Sequence, residues 1–161
     1  MSMSKPQRAS LVILRVVMGW FYFYSGIIKV MDSSWSSLSY IQKANSSMVW
    51  LYQIFMSSDV LPIVNFMVKW GLTMLGVSLI LGLFVRLSSY LGMLLMFLLY
   101  LPILNFPMVG KNSYLVDQHI IYIASLFLLA SCKAGHVWGI EGWLASHPFF
   151  ARHPKLLAWI N

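Results

Sequence analysis

Four long apolar runs limit what this chain can fold into. They cover residues 9–31, 61–84, 87–105 and 117–133, of which the last is the shortest. A bilayer core takes roughly 20 apolar residues of helix, so each run is a candidate membrane span. Hydrophobic residues make up 60% of the chain and charged residues only 9%. Soluble domains are roughly 25% charged, so the chain is expected to be an integral membrane protein.

The four spans are expected to form an all-α four-helix bundle in a single transmembrane domain over residues 1–161. Backbone groups in lipid must be hydrogen-bonded within the protein, and these runs are too long and too evenly apolar for barrel strands. Only a few residues around Val85 and Arg86 separate the second span from the third, which predicts a tight antiparallel hairpin. No small-residue cleavage site follows the first run, so it is interpreted as a retained helix.

The distribution of lysine and arginine predicts the orientation. With the N-terminus inside, the cytoplasmic segments hold Lys5, Arg8, Arg86, Lys133, Arg152 and Lys155, whereas the external segments hold Lys43 and Lys111. Cytoplasmic loops carry the excess of positive residues, so both termini are predicted to be cytoplasmic. The net charge of +7 therefore reports topology, and no nucleic-acid partner is expected, because the cations are scattered around the apolar runs.

Two further segments are expected to lie along the membrane interface. The first is the Ser-rich external loop Asp32–Val60, whose amphipathic patch consists of Val49, Trp50, Ile54 and Phe55. The second is the tail, residues 142–161, in which aromatic residues alternate with Arg152 and Lys155. Both segments are predicted to contact lipid head groups.

One stripe of the first span carries two cations, with small residues between them. Arg15, Gly19, Tyr22, Gly26 and Lys29 recur at helical spacing, which places them on one face. Arg15 and Lys29 lie about 21 Å apart along the axis, so each could extend to its own interface as an anchor. Alternatively the stripe faces the bundle interior, as ionisable groups within membranes usually do. The glycines expected to pack helices closely are Gly19 and Gly26, with Gly71 and Gly76 in the second span.

Three stretches resemble the DoxX/DoxD family of small four-helix membrane proteins. They read "LRVVMGWFYFYSGIIK", "VKWGLTMLGVSLILGLFVRLSSYLGMLLM" and "VDQHIIYIASLFLLASCKAGHVWGIEGWL", and they extend over nearly the whole chain. The last is the most specific and points to the DoxD-like branch, which includes the large membrane subunit of thiosulfate:quinone oxidoreductase. The resemblance implies a multi-pass protein of a prokaryotic cytoplasmic membrane that takes part in quinone-linked sulfur oxidation. Leu72 stands where many relatives carry a glutamate, so this chain lacks that carboxylate.

A quinone site would need an apolar slot and hydrogen-bond donors for the two carbonyl oxygens. The residues expected to bind quinone or a partner are Lys29, Tyr22, Lys69, Trp70 and Tyr100. We expect the slot between the first, second and fourth spans, near Lys29, Trp70 and His119. Lys69 lies deeper in its span than an anchor requires, and a contact with an aspartate at the same end is an equal alternative.

His119 and Asp117 are the candidate catalytic residues. Histidine titrates nearest to physiological pH, and Asp117 two residues earlier could tune its proton affinity. The alternative is that Asp117 caps the fourth helix while His119 lies among head groups. Residues two apart do not face each other on a helix, which favours this alternative.

No metal, haem or flavin is expected. The single Cys132 excludes an internal disulfide and a cysteine-ligated cluster, and methionine without nearby cysteine or histidine usually fills space in a core. Any electrons would come from a partner subunit, to which this chain presents quinone. The alternative is a non-catalytic accessory or scaffold subunit that packs through its glycines into a larger membrane complex. A transporter is less favoured, because the spans show no inverted repeat.

Overall fold

The computed structural model describes residues 3–42, 49–109 and 113–147. Three helices in this part of the chain are long and apolar enough to cross a membrane. They are α1 (Lys5–Met31), α4 (Leu61–Leu81) and the segment that begins with α5 (Val85–Tyr100). The shorter helices are α2 (Leu38–Gln42), α3 (Val49–Phe55), α6 (Gln118–Ser131) and α7 (Ile140–Ser146).

The ends of α1 follow from local chemistry. The N-terminus is closed by the Ser4 N–H, which donates to Gln7 Oε1 at 2.8 Å, and Pro6 lies in the first turn, where its missing N–H costs nothing. At the other end the Asp32 N–H bonds the Ile28 carbonyl at 3.1 Å, and the chain then leaves the helical conformation.

A tight hairpin joins α4 to α5, as the short linker predicts. Gly82 ends α4 in the left-handed region with φ 66°, a conformation that glycine adopts without steric cost. The hydroxyls of Ser78 and Ser88 lie 2.6 Å apart across the turn. The helix therefore ends at Leu81, three residues before the predicted limit of the second span.

The third predicted span ends early, and its last residues are not helical. After Tyr100 the chain makes a 3₁₀ turn, Leu101–Ile103, and then an antiparallel sheet of three two-residue strands. The strands are β1 (Leu104–Asn105), β2 (Met108–Val109) and β3 (Ser113–Tyr114). The all-α prediction was therefore incomplete, because pairs of two residues leave no alternating pattern that distinguishes them from a helix end.

One apolar core is shared by α1, α4, α5 and α6. Within it α1 packs mainly on α4, and α5 packs mainly on α6. Tyr22, Leu79, Leu126 and Leu129 are fully buried there. We call the end of this assembly that holds the start of α1 the Arg15 end, and the opposite end, which holds the start of α6, the Lys29 end.

The fourth predicted span is the shortest helix of the core. With 14 residues, α6 is about 21 Å long at 1.5 Å per residue, less than the roughly 30 Å of a bilayer core. Three expectations stay predictions. They are that α6 crosses the membrane, that both termini are cytoplasmic, and that the loop between the first two spans lies along the interface. Helix α7 covers the start of the predicted tail, and residues 148–161 of that tail lie outside the described part.

Candidate functional site

Asp117 and His119 contact each other at the start of α6. The Asp117 Oδ1 atom accepts hydrogen bonds from the backbone N–H groups of His119 at 2.9 Å and Ile120 at 3.4 Å, so Asp117 is the helix cap. Its Oδ2 atom lies 2.6 Å from Nδ1 of His119. The expectation that residues two apart cannot meet was wrong here, because Asp117 lies outside the helix with φ −123° and ψ −172°. Its side chain can therefore fold back over the first turn.

Two tyrosines near Asp117 already use their hydroxyl groups. The Tyr40 hydroxyl donates to the Leu99 carbonyl at 2.6 Å, and the Tyr100 hydroxyl donates to the Leu115 carbonyl at 2.7 Å. Burial and then the charge of Asp117 raise the pKa of Tyr40 to about 12. Tyr40 therefore stays protonated. Its hydrogen bond connects the segment after α1 to α5, and that of Tyr100 connects α5 to the segment after β3.

Tyr22 has a hydroxyl group with no hydrogen-bond partner among the described residues. Its side chain is 0% exposed. The Tyr22 ring packs edge-on against Tyr122 with centroids 6.0 Å apart, and Tyr122 in turn interacts electrostatically with Asp117. Two contacting pairs, Tyr22 with Tyr122 and Asp117 with His119, therefore lie along α6, and we call these four residues the tyrosine–histidine cluster.

Lys29 and Lys69 both lie close to the ring of Trp35, a residue that was not among the expected site residues. Their Nζ atoms lie 5.7 and 5.5 Å from the centroid of the Trp35 ring. The expected aspartate contact exists in a modified form, since Lys69 Nζ donates to the backbone carbonyl of Asp32 at 3.2 Å and not to its carboxylate.

Trp70 lies on another face of α4. It packs against Phe66 with ring centroids 6.4 Å apart and lines an open apolar groove of about 780 Å³ between α4 and α5. Gly71 and Gly92 also line this groove. The structure therefore gives the three residues of the expected slot separate surroundings: Trp70 lines the groove, Lys29 lies at Trp35, and His119 contacts Asp117.

Three of the four expected packing glycines lie where α1 meets α4. A Cβ atom on Gly19 would lie 2.9 Å from the Ile80 backbone nitrogen, and one on Gly76 would lie 2.5 Å from the Phe23 Cα atom. A Cβ atom on Gly26 would clash with Thr73 in the same way. Gly71 has more room, because the nearest atom is on Leu95 at 3.7 Å.

Arg15 is not the interfacial anchor that one interpretation of the stripe expects. Its side chain is 2% exposed, and Nη1 donates to the carbonyls of Ala134 at 2.5 Å and Val137 at 3.0 Å. The anchoring interpretation was therefore wrong for this residue. These hydrogen bonds connect α1 to the segment that follows α6.

Glu141 is a buried charge that sequence reasoning did not single out. It is 2% exposed, and its Oε1 atom accepts the Val85 N–H at 2.7 Å. Its own N–H donates to the Gly82 carbonyl at 3.0 Å, so α7 is held on the α4–α5 hairpin. Burial raises the pKa of this carboxyl, although Val85 and Arg15 oppose the rise. The signal in the sequence was a lone glutamate within the apolar stretch "WGIEGWL".

Within the described ranges no group of three histidine, cysteine, aspartate or glutamate side chains could hold a metal ion. The contact of Asp117 with His119 and the unpartnered Tyr22 hydroxyl suit proton exchange and hydrogen bonding.

Comparison with known proteins identifies the family. No curated protein and no solved structure matches the chain. The sequence model of the DoxX family matches residues 10–103, which include most of α1 and all of α4 and α5 and make up more than half of the chain. Tyr22, Lys29, Lys69 and Tyr100 fall within the match, whereas Asp117, His119 and Glu141 follow it. The chain is an integral membrane protein that belongs to the DoxX family.

Proposed function

We propose that this protein is the quinone-facing membrane subunit of a thiosulfate:quinone oxidoreductase or a related sulfur-oxidising membrane complex. The observation that carries the proposal is the tyrosine–histidine cluster. In it the buried phenol of Tyr22, without a partner, packs against Tyr122, and the imidazole of His119, three residues earlier on α6, contacts the Asp117 carboxylate. Membership of the DoxX family and the DoxD-like ending of the sequence support it.

The orphaned hydroxyl of Tyr22 fits a carbonyl ligand. A buried hydroxyl without a partner costs about 1–3 kcal/mol, and a quinone oxygen is an acceptor that would remove this cost. The surrounding core residues and the Tyr122 ring supply the apolar contact that a quinone ring needs. Tyr22 is therefore the residue we assign to hold and orient quinone.

His119 is assigned to proton transfer. Quinone, when bound, accepts two electrons and two protons. Asp117 binds Nδ1 of His119, which fixes the ring and leaves the other ring nitrogen, Nε2, to exchange a proton. The electrons come from a partner subunit that holds the redox centre and the sulfur substrate.

Quinone binding to the purified protein in lipid nanodiscs tests the role of Tyr22. Tyr22→Phe should weaken binding about tenfold, which corresponds to roughly 1.4 kcal/mol for one hydrogen bond. Tyr24→Phe is the matched control, because Tyr24 lies on the same helix and is 57% exposed. Equal affinities of the two variants would refute the assignment of Tyr22.

Turnover of the native complex tests His119. His119→Gln should retain quinone binding and slow thiosulfate-dependent quinone reduction about 100-fold, since a positioned acid or base contributes roughly 10²–10⁴-fold. A variant with unchanged turnover would exclude His119 as the proton-transfer residue.

A non-catalytic accessory subunit is the second candidate, and the groove between α4 and α5 favours it. Gly71 and Gly92 in the groove would allow a helix of a larger membrane complex to approach closely. Met74→Trp and Leu91→Trp, at exposed positions that line the groove, would each fill it. Gly92 is unsuitable, because a side chain there would meet Leu75 and Leu126 in the core. Loss of co-purifying membrane subunits from both variants, without loss of quinone binding, would support the accessory role.

A further inference from the structure

Two lysines at the Lys29 end share one aromatic ring. The Nζ atoms of Lys29 and Lys69 lie 5.7 and 5.5 Å from the Trp35 centroid. All three side chains are half-buried, so a polar ligand from the interface can reach them. The ring attracts each ammonium group weakly, whereas the two positive charges repel each other.

The contact between α1 and α4 holds the two lysines at the same level. Gly76 lies against Phe23, and Gly26 lies against Thr73 one step further along the antiparallel pair. Continuing this register brings Lys29 level with Trp70, the residue that follows Lys69. The positions of the two lysines along the axis are therefore set by the contact between α1 and α4, whereas Trp35 lies in the segment after α1.

The ammonium groups have hydrogen-bond donors to spare. Lys29 Nζ donates to the Ser25 carbonyl at 2.6 Å, and Lys69 Nζ donates to the Asp32 carbonyl at 3.2 Å. An ammonium group has three donors, so each lysine keeps two. Lys29 also turns back along its helix toward Ser25, whereas an anchoring lysine would extend outward.

No carboxylate in the described part of the chain lies within 4 Å of either ammonium group. The acidic group closest in sequence to Lys29 is Asp32, whose Oδ1 atom already accepts the N–H of Ser34 at 2.9 Å and its hydroxyl at 2.6 Å. These two hydrogen bonds hold the pKa of Asp32 below its usual range, so it contributes one negative charge. One negative charge against two positive charges leaves an excess positive charge at this place.

We propose that Lys29 and Lys69 form a binding site for a tetrahedral oxyanion beside Trp35. The ligand is a sulfur or phosphorus oxyanion, either free in water or as the phosphate of a lipid head group. Lysine ammonium groups act as point charges for such anions, and basic pockets between membrane helices bind head groups. The site is separate from the tyrosine–histidine cluster and does not depend on quinone binding.

Calorimetric titration of the full-length protein with sodium sulfate tests the free-ligand form of the proposal. The protein is held in nanodiscs of zwitterionic lipid at constant ionic strength. Lys29→Gln and Lys69→Gln should each weaken sulfate binding about tenfold, a loss of roughly 1.4 kcal/mol per lysine. Lys133→Gln is the matched control, because it removes the same charge at the Arg15 end of the molecule. Lys29→Arg keeps the charge and should restore binding.

Native mass spectrometry with anionic phospholipid tests the head-group form. The wild-type protein and the Lys133→Gln control should retain more anionic lipid than the Lys29→Gln, Lys69→Gln double variant. Loss in either assay that is specific to Lys29 and Lys69 supports the site and identifies the source of the oxyanion. Equal thermal midpoints would show that all variants are folded. If the lysine variants then bound sulfate and anionic lipid as well as the Lys133→Gln control does, the proposal would be overturned.

Discussion

At the scale of single residues, Asp117 has two roles that one substitution can separate. Its Oδ1 atom caps α6, and its Oδ2 atom binds His119. Asparagine caps helices as well as aspartate, whereas alanine loses about 0.5–2 kcal/mol. Asp117→Asn should therefore keep the thermal midpoint close to that of the wild type while it slows quinone reduction.

Asp117→Ala should lower both the thermal midpoint and the rate of quinone reduction. Comparing it with Asp117→Asn in the same two assays separates the role of Asp117 as helix cap from its role as partner of His119. An Asp117→Asn variant with full turnover would show that the carboxylate acts as a helix cap alone.

The polar contacts of individual residues were the least predictable part of the site. Tyr22, Lys29 and His119 could be chosen from the sequence, because ionisable and hydroxyl groups are conspicuous in apolar runs. The partner of Arg15 could not be chosen, since it consists of backbone carbonyls more than 100 residues away. Backbone acceptors leave no trace in the side-chain pattern, so Arg15 resembles an interfacial anchor in the sequence.

At the scale of helices, the distance between α1 and α4 is set by glycine. A Cβ atom on Gly76 would meet the backbone of Phe23, which cannot move without shifting the helix. Gly76→Ala should therefore destabilise the protein by about 1–3 kcal/mol, the usual cost of overpacking. Gly71→Ala is the control, because its Cβ would make an ordinary contact of 3.7 Å, and helical alanine is favoured over glycine.

Unfolding in a mixed-detergent titration measures both glycine variants. If Gly71→Ala were as damaging as Gly76→Ala, the close approach of α1 and α4 would not explain the loss.

The helices were more predictable than their ends. Long apolar runs have few alternatives in a bilayer, so α1, α4 and α5 follow the predicted spans closely. The ends depend on single residues such as Gly82, which takes a left-handed conformation, and Tyr100, after which the helix narrows to a 3₁₀ turn. Such local choices are only weakly expressed in an apolar sequence.

The attachment of α7 should depend on pH through Glu141. Burial raises the pKa of this carboxyl in the folded protein, so the folded chain binds the proton more tightly than the unfolded chain. The contribution of Glu141 to stability is therefore fully present below the unfolded pKa of 4.5 and decreases as the pH rises through the folded value. Glu141→Gln cannot titrate, and its Oε1 atom can still accept the Val85 N–H.

Thermal midpoints of the wild type and Glu141→Gln at pH 4.5 and pH 8 measure this contribution. The wild type should lose more stability than the variant between the two values. The protection of residues 134–146 from hydrogen exchange, corrected for the intrinsic rate at each pH, should fall more in the wild type than in the variant. Identical pH dependence of the two proteins would mean that Glu141 keeps its ordinary proton affinity.

At the scale of the whole molecule, the number of crossings decides which side each end faces. Helix α6 packs along α5, so a crossing by α6 would return the chain to the Arg15 end. Its length of about 21 Å falls short of the bilayer core, but local thinning and the extension of flanking side chains accommodate such a mismatch at modest cost. Arg86 and Lys133 follow the Arg15 ends of α4 and α6, and their positive charges predict that this end faces the cytoplasm.

Labelling of two single-cysteine proteins with a membrane-impermeant maleimide in intact cells tests this topology. The wild type carries Cys132 alone, at the Arg15 end, and should react only after permeabilisation. The Cys132→Ser, Ser33→Cys variant carries its thiol in the exposed turn after α1, at the Lys29 end, and should react without permeabilisation. Reaction of both proteins in intact cells would show that α6 does not cross. If only Cys132 reacted in intact cells, the orientation would be the reverse of the predicted one. The tyrosine–histidine cluster and the two lysines would then lie at the cytoplasmic end.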